Sequence, residues 1–322
     1  MSFPAPLITH CCFLAGPTAS GKSALALLLA EQLGAEILAL DSMTVYRGMD
    51  IGTAKADSAE RERVAHHLLD LVNPEDEYSI ADYLTAAASV SQQVLQRGKV
   101  PLFVGGSGLY LRALLRGFSP GPAANWDIRE RWNALARERG PEWIHRELQR
   151  VDPPTAARLH PQDLRRIIRA LEVHEVTGRP ISAEQQHGPR AAAFRPRLAV
   201  WLDPHRDVLR ERIAQRTRQM LDHGWLEESR RLLSHPAGLS RTASQALGYR
   251  ELFQHLQGEL SLDEAEQRIR ISTGQFAKRQ CTWFRSLEEC RRLELSGRER
   301  PVEMLERLSL LTGGFAPANS LQ

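Results

Sequence analysis

The chain has 322 residues, long enough for one large domain with an insertion or for two domains. Its 42% apolar and 25% charged residues exclude a disordered or fibrous chain. Net charge is +3, and no apolar run reaches the roughly 18 residues that cross a bilayer. No charged start precedes an apolar core at the N-terminus, so neither a membrane span nor a secretion signal is expected. Cys11, Cys12, Cys281 and Cys290 lack metal-ligand spacing, and a reducing cytoplasm is the expected compartment.

The apolar run Leu7 to Leu14 predicts a first strand. Residues 16–23 read Gly-Pro-Thr-Ala-Ser-Gly-Lys-Ser, a complete G-x-x-x-x-G-K-[ST] phosphate-binding loop. It opens onto Ala24–Ala30, a strong helix former, so the strand–loop–helix setting is present. The glycines let backbone N–H groups turn around an anion, and the helix N-terminus adds partial positive charge. Lys22 supplies a point charge to the terminal phosphate, and the Ser23 hydroxyl is placed for Mg²⁺. Gly16, Pro17, Thr18, Ala19, Ser20, Gly21, Lys22 and Ser23 are therefore the predicted cradle, with Thr18 and Ser20 able equally to cap the loop.

A second strand, 36–40, ends in Asp41-Ser42, a carboxylate beside the cradle. Helices are predicted at 58–67 and 80–97. A third strand, 100–104, runs into Gly105-Gly106-Ser107-Gly108, followed by a helix over 107–116. A nucleotide hydrolase places an Asp after such a strand. None follows here, which points to group transfer onto an acceptor. Ser107 follows two glycines, so its hydroxyl can approach a ligand closely.

After a break at Gly117–Pro122, the pattern from Trp126 to Gly178 is helical and charged. Asp152-Pro-Pro and His160-Pro punctuate it, and Gly188-Pro-Arg closes it. Arg165, Arg166 and Arg169 form a basic ridge there, unless Asp163 or Glu172 neutralises it. A strand follows at 197–202, then a helix over 206–223. On that helix Arg212 and Arg216 stand at i and i+4, suited either to closing on a diphosphate or to a solvated face. Only four of the 42 basic residues are lysines, so arginine count alone says little. Residues 267–286, however, carry Arg268, Arg270, Lys278, Arg279 and Arg285 with Phe276, Trp283 and Phe284 and no acid. That mixture suits nucleic acid, or a solvated amphipathic face. The predicted architecture is α/β, a P-loop NTPase-like parallel-sheet core from 1–119 and 196–290, with a helical insertion domain at 120–195. Residues 291–322 read as a C-terminal tail, partly disordered.

Several segments together resemble the tRNA dimethylallyltransferase (tRNA isopentenyltransferase) family. They are the loop at 16–23, Asp41-Ser-Met-Thr-Val-Tyr-Arg-Gly-Met-Asp-Ile-Gly-Thr-Ala-Lys55, His66-His-Leu-Leu-Asp70 and Tyr78-Ser-Ile-Ala-Asp82. Val104-Gly-Gly-Ser-Gly-Leu-Tyr110, Arg169-Ala-Leu-Glu-Val173, Gly248-Tyr-Arg250 and Ala277-Lys-Arg-Gln-Cys-Thr-Trp-Phe-Arg285 follow in family order. The resemblance implies transfer of a dimethylallyl group from dimethylallyl diphosphate to the exocyclic amine of adenosine 37 of tRNA, with Mg²⁺. It implies Asp41 as general base, Lys22 on the leaving diphosphate, and Ser107, where the family usually has Thr, placing the amine. The implied tRNA contacts are Asp41, Ser42, Met43, Thr44, Ser107, Arg129, Arg165, Arg166, Ile167, Ile168, Arg169, Gln245, Gly248, Tyr249, Arg250, Lys278, Arg279, Gln280, Trp283 and Arg285. The partner is the anticodon stem-loop, with the target base extruded; no membrane partner is implied, and a monomer is expected. His66 and His67 match the family but read as packing or capping residues. The runner-up is a P-loop small-molecule or nucleoside kinase, and a third reading is an RNA-binding protein with a relic loop.

Overall fold

Pro4 and Pro6 decide where the first strand begins. A proline lacks the N–H that a central strand must donate. The segment instead starts a short helix, Ala5–Ile8, and the strand is only Cys12–Ala15 (β1) rather than 7–14. The structure, a computed structural model, describes residues 3–118, 121–184 and 194–314. Five more strands join β1: Ala35–Leu40 (β2), His66–His67 (β3), Val100–Gly105 (β4), Leu198–Pro204 (β5) and Arg291–Leu295 (β6). All pair in parallel in the order β3-β2-β4-β1-β5-β6. β1 and β2 are buried along their whole length, which is why they read as unbroken apolar runs rather than alternating ones.

The register levels the strand ends. Ala15 and Leu40 both pair with Gly105. The loops after β1, β2 and β4 therefore emerge side by side at the carboxyl edge, where open α/β sheets hold ligands. The helix Lys22–Leu33 leaves the first loop and stops at Gly34, whose φ of +62° suits a glycine cap. Leu25, Leu29 and Leu33 of this helix share a core with Leu14, Val200 and Leu202.

Residues 116–118 and 121–184 form a separate compact unit, and the other described residues form the second. The smaller unit is built from Trp126–Arg139, Pro141–Val151 and Leu164–Thr177 around Ile144, Leu148, Ile167 and Leu171. Asp152, fully buried, accepts from the backbone N–H groups of Thr155 and Ser182. The expected closing Gly188-Pro-Arg lies outside the described residues.

The expected tail needs correction. Arg291–Leu295 is the sheet's edge strand, and Pro301–Thr312 is a helix whose Met304 and Leu308 enter the main core. The alternation that buries Leu293 and Leu295 and the proline start of the helix are both ordinary element signals. Residues 315–322 lie outside the described residues. Leu308→Ala is expected to cost about 2–5 kcal/mol by cavity formation, measured by urea unfolding, whereas Leu310, 84% exposed, tolerates the same change. Equal, negligible effects at both positions would mean the segment is a tail after all.

Candidate active site

The phosphate-binding loop is rigid and open. Pro17 is buried and accepts from the Ser20 N–H at 3.2 Å, closing a turn. Ala19 is held at φ +61°, a conformation that costs a non-glycine residue about 1–2 kcal/mol. Gly21, at φ +86°, begins the helix with no side chain capping its first turn. Those amides are thus left for an anion. Lys22 leans on the Pro17 carbonyl at 3.3 Å. Desolvation, aided by the Arg216 charge, lowers its pKa to about 8, and Asp41 opposes the shift.

Asp41 stands half-buried at the end of β2 and accepts from the Met43 N–H at 2.8 Å. Desolvation raises its pKa, against the Met43 bond and the Lys22 charge. Arg216 is half-buried; desolvation lowers its pKa while Asp41 raises it. Arg216 lies on the helix Arg206–Asp222, whose Leu209 and Ile213 pack with Ala277 and the loop's Ala19. Arg212, one turn earlier, reaches over Gly21: a Cβ added there would lie 3.6 Å from Nη1.

The β4 end completes the edge. Ser107 donates its N–H to the Leu40 carbonyl at 3.1 Å, next to Asp41, and Gly16 donates to Gly105 at 3.2 Å. Ser107 also caps the helix Gly108–Arg116 through the Leu111 N–H. A cavity of about 610 Å³ opens on the loop, walled by Lys22, Ser23, Lys55, Arg212, Arg216 and Met304, among others. Ser23 is exposed there. Among the described residues no group of His, Cys, Asp or Glu could hold a metal alone. A single hydroxyl beside a diphosphate is the donor set suited to Mg²⁺, which keeps most of its waters and shares phosphate oxygens.

The family model described as IPP transferase matches residues 44–287, and that of isopentenyl transferase matches residues 9–75. The chain belongs to the IPP transferase family. The tRNA dimethylallyltransferase of Geobacter metallireducens is 47% identical over 292 residues, 90% of this chain and 94% of that one. A solved tRNA isopentenylpyrophosphate transferase from Bacillus halodurans superposes with TM-score 0.67 at 34% identity, covering 94% and 95% of the two chains. A solved eukaryotic dimethylallyltransferase acting on tRNA gives TM-score 0.72 at 26% identity, covering 88% of this chain and 73% of that one. Membership removes the kinase and relic-loop readings.

The residues expected to touch RNA fall into two groups. Exposed are Arg165, Arg166, Gln245, Arg250, Lys278, Arg279 and Arg285; Ser42 and Met43 are half-buried. Arg166 pairs with Asp163 at 3.4 Å, and Arg285 comes within 4.0 Å of Asp203. The other group makes contacts within the protein. Ile167 and Ile168 are buried, and Thr44 and Gly248 likewise. Arg129 and Arg169 both bind the buried Glu172 carboxylate, at 2.9 and 2.6 Å. Tyr249 donates its hydroxyl to Glu228 at 2.6 Å. Trp283 packs on Gly108, where an added Cβ would come within 2.6 Å of it. Gln280 is 4% exposed, and its amide bonds only backbone.

Several contributors escape sequence reasoning. Glu228 accepts from the N–H groups of Asp50, Ile51 and Gly52 at 2.9, 2.9 and 3.1 Å, fixing the segment after Asp41. The Lys55 side chain, 1% exposed, bridges Asp50 and Asp70 at 2.5 and 2.7 Å. Tyr83 donates to the Ala39 carbonyl and stacks on Tyr110 at 4.2 Å beside the β2 end. A carboxylate 176 to 178 positions from the amides it binds leaves no local signal; Pro301 was legible as a helix start. His66 and His67 bond the Val64 carbonyl and the Glu36 carboxylate.

Because the free Lys22 ammonium loses its proton near pH 8, kcat/KM for a diphosphate ligand should fall above that pH. Lys22→Arg, which stays charged, should push the alkaline limb upward. A limb that does not move would assign it to another group.

Proposed function

We propose that the chain transfers the dimethylallyl group of dimethylallyl diphosphate to the exocyclic amine of the adenosine beside the tRNA anticodon, position 37. The observation that carries this reading is the juxtaposition, at one sheet edge, of an uncapped phosphate loop with a desolvated carboxylate. The amine nitrogen attacks the allylic carbon, the carbon–oxygen bond breaks, and diphosphate leaves. Asp41 takes the amine proton; its desolvation makes it a stronger base than an ordinary carboxylate. Lys22, the amides of the first helical turn, Arg212 and Arg216 hold the diphosphate. Their charges are worth most on the developing leaving group, where negative charge builds as the bond breaks. Ser23 would hold Mg²⁺, which neutralises charge on the leaving oxygens. Ser107 orients the amine from the β4 end.

RNA is held by exposed cations, with Lys278 and Arg279 on the helix Leu262–Arg285 and Arg165 and Arg166 on the helical unit. The chain works as a cytoplasmic monomer; no helix among the described residues is long and apolar enough to cross a membrane.

Labelled dimethylallyl diphosphate with total tRNA, run beside labelled ATP, tests the reaction. Label should enter tRNA without ADP release; stoichiometric ADP would restore the kinase reading. In that assay Asp41→Asn should bind both substrates and lose at least about tenfold in kcat, the low end being set by a typical general-base contribution. Lys278→Ala with Arg279→Ala should flatten the slope of log K for tRNA against log salt by about 1.4, at roughly 0.7 per single-strand phosphate contact. An unchanged slope would mark these cations as a solvated face.

A further inference from the structure

The buried amide of Gln280 stands between the donor loop and the acceptor loop. Its Oε1 accepts from the Thr18 N–H at 2.9 Å, in the phosphate-binding loop. Its Nε2 donates to the Gly106 carbonyl at 2.9 Å, in the loop that carries Ser107. The side chain belongs to the helix Leu262–Arg285, remote from both in sequence. Shape reinforces the bonds. A Cβ at Gly106 would overlap Nε2, and one at Gly108 would press on Trp283, one turn along the same helix. Lys278 and Arg279, the two residues before it, are exposed.

We infer that Gln280 is a positioning residue that fixes the distance between the leaving diphosphate and the attacking amine. This rests on the proposed transfer reaction. An in-line displacement needs the allylic carbon and the amine held within a near-attack separation, and an error of about 1 Å costs up to 10²-fold. The phosphate loop is already tied to β4 where Gly16 donates to Gly105, and the acceptor loop to β2 where Ser107 donates to Leu40. Both of those ties lie at the strand ends. Gln280 alone bonds the two loops beyond the strands among the described residues, one residue before Ser107 and two after Gly16. Its removal leaves Thr18 N–H and the Gly106 carbonyl without partners in a largely buried place, so both loops relax away from one another. The glycine at 106 is then required by the amide, not by the ligand.

The test measures kcat, the dissociation constants of donor and tRNA, and the melting temperature for the full chain and its variants. Gln280→Ala should lower kcat by roughly 10–100-fold and leave tRNA affinity unchanged. Gln280→Glu keeps the acceptor for Thr18 but, ionised, cannot donate to Gly106; it should lose kcat and melt lower, since it buries an unpaired charge, while tRNA affinity holds. Gly106→Ala displaces the amide and should reproduce the loss. The double variant Gly106→Ala with Gln280→Ala should be no worse than the poorer single, since both break one contact. A tRNA affinity loss with kcat intact would overturn the inference and make Gln280 an RNA contact. Additive effects of the two substitutions would overturn it too. A wild-type chain that transfers no label to tRNA would sink the reaction itself, a failure these variants do not produce.

Discussion

At Gly105 the backbones of β2 and β4 approach so closely that any side chain would overlap the Leu40 carbonyl. The whole site depends on that closeness. It allows Gly105 to sit level with both Ala15 and Leu40, so three loops leave the sheet at one height. The phosphate loop is then tied to β4 through Gly16, and the acceptor loop to β2 through Ser107. Asp41 follows Leu40 directly, so the carboxylate lands beside the cradle without a tie of its own to either loop. A single alanine at 105 would push the Asp41 carboxylate and Ser107 apart.

Charge is crowded at this edge without being balanced. Lys22 and Arg216 face Asp41 in a partly dry place, and each pays a desolvation cost that shifts its pKa toward neutrality. Two cations and one anion leave an excess of positive charge. A diphosphate bound there would supply the missing negative charge and hold Lys22 in its charged form. The inward-facing residues of the segments that match the family bond the protein, while the outward-facing ones remain exposed.

What sequence alone revealed follows from range. The phosphate loop, the strands β2, β4 and β5 and the helix Arg206–Asp222 are written in local patterns, and each stands close to its expected place. Asp41 was legible because it directly follows a strand. Family motifs located Gln280, Tyr249 and Ile167 but not their direction, since a match in position carries no statement of which face is buried. Arg169 illustrates this: its spacing with Arg165 suggests one basic ridge, yet it turns to Glu172, which also holds Arg129 and caps Asn125. The expected helix 58–67 stops at Arg63 and His66–His67 form β3 instead, for two residues cannot show a strand period. The edge strand and last helix did give one, in Leu293, Leu295 and Pro301, overshadowed by the aperiodic Gly-Gly and Pro-Ala stretch that follows.

The donor cavity draws its wall from residues 19–24, 54–60, 212–219 and 299–304. During synthesis the loop that grips phosphate emerges almost first, while Pro301 and Met304 emerge almost last. From the completion of β5 until β6 arrives, β5 offers an unpaired edge. A nascent or prematurely terminated chain thus carries the motif without the pocket. It exposes the sheet edge that β6 later covers. Completion of the chain is itself the step that switches the loop from a sequence signature into a binding site.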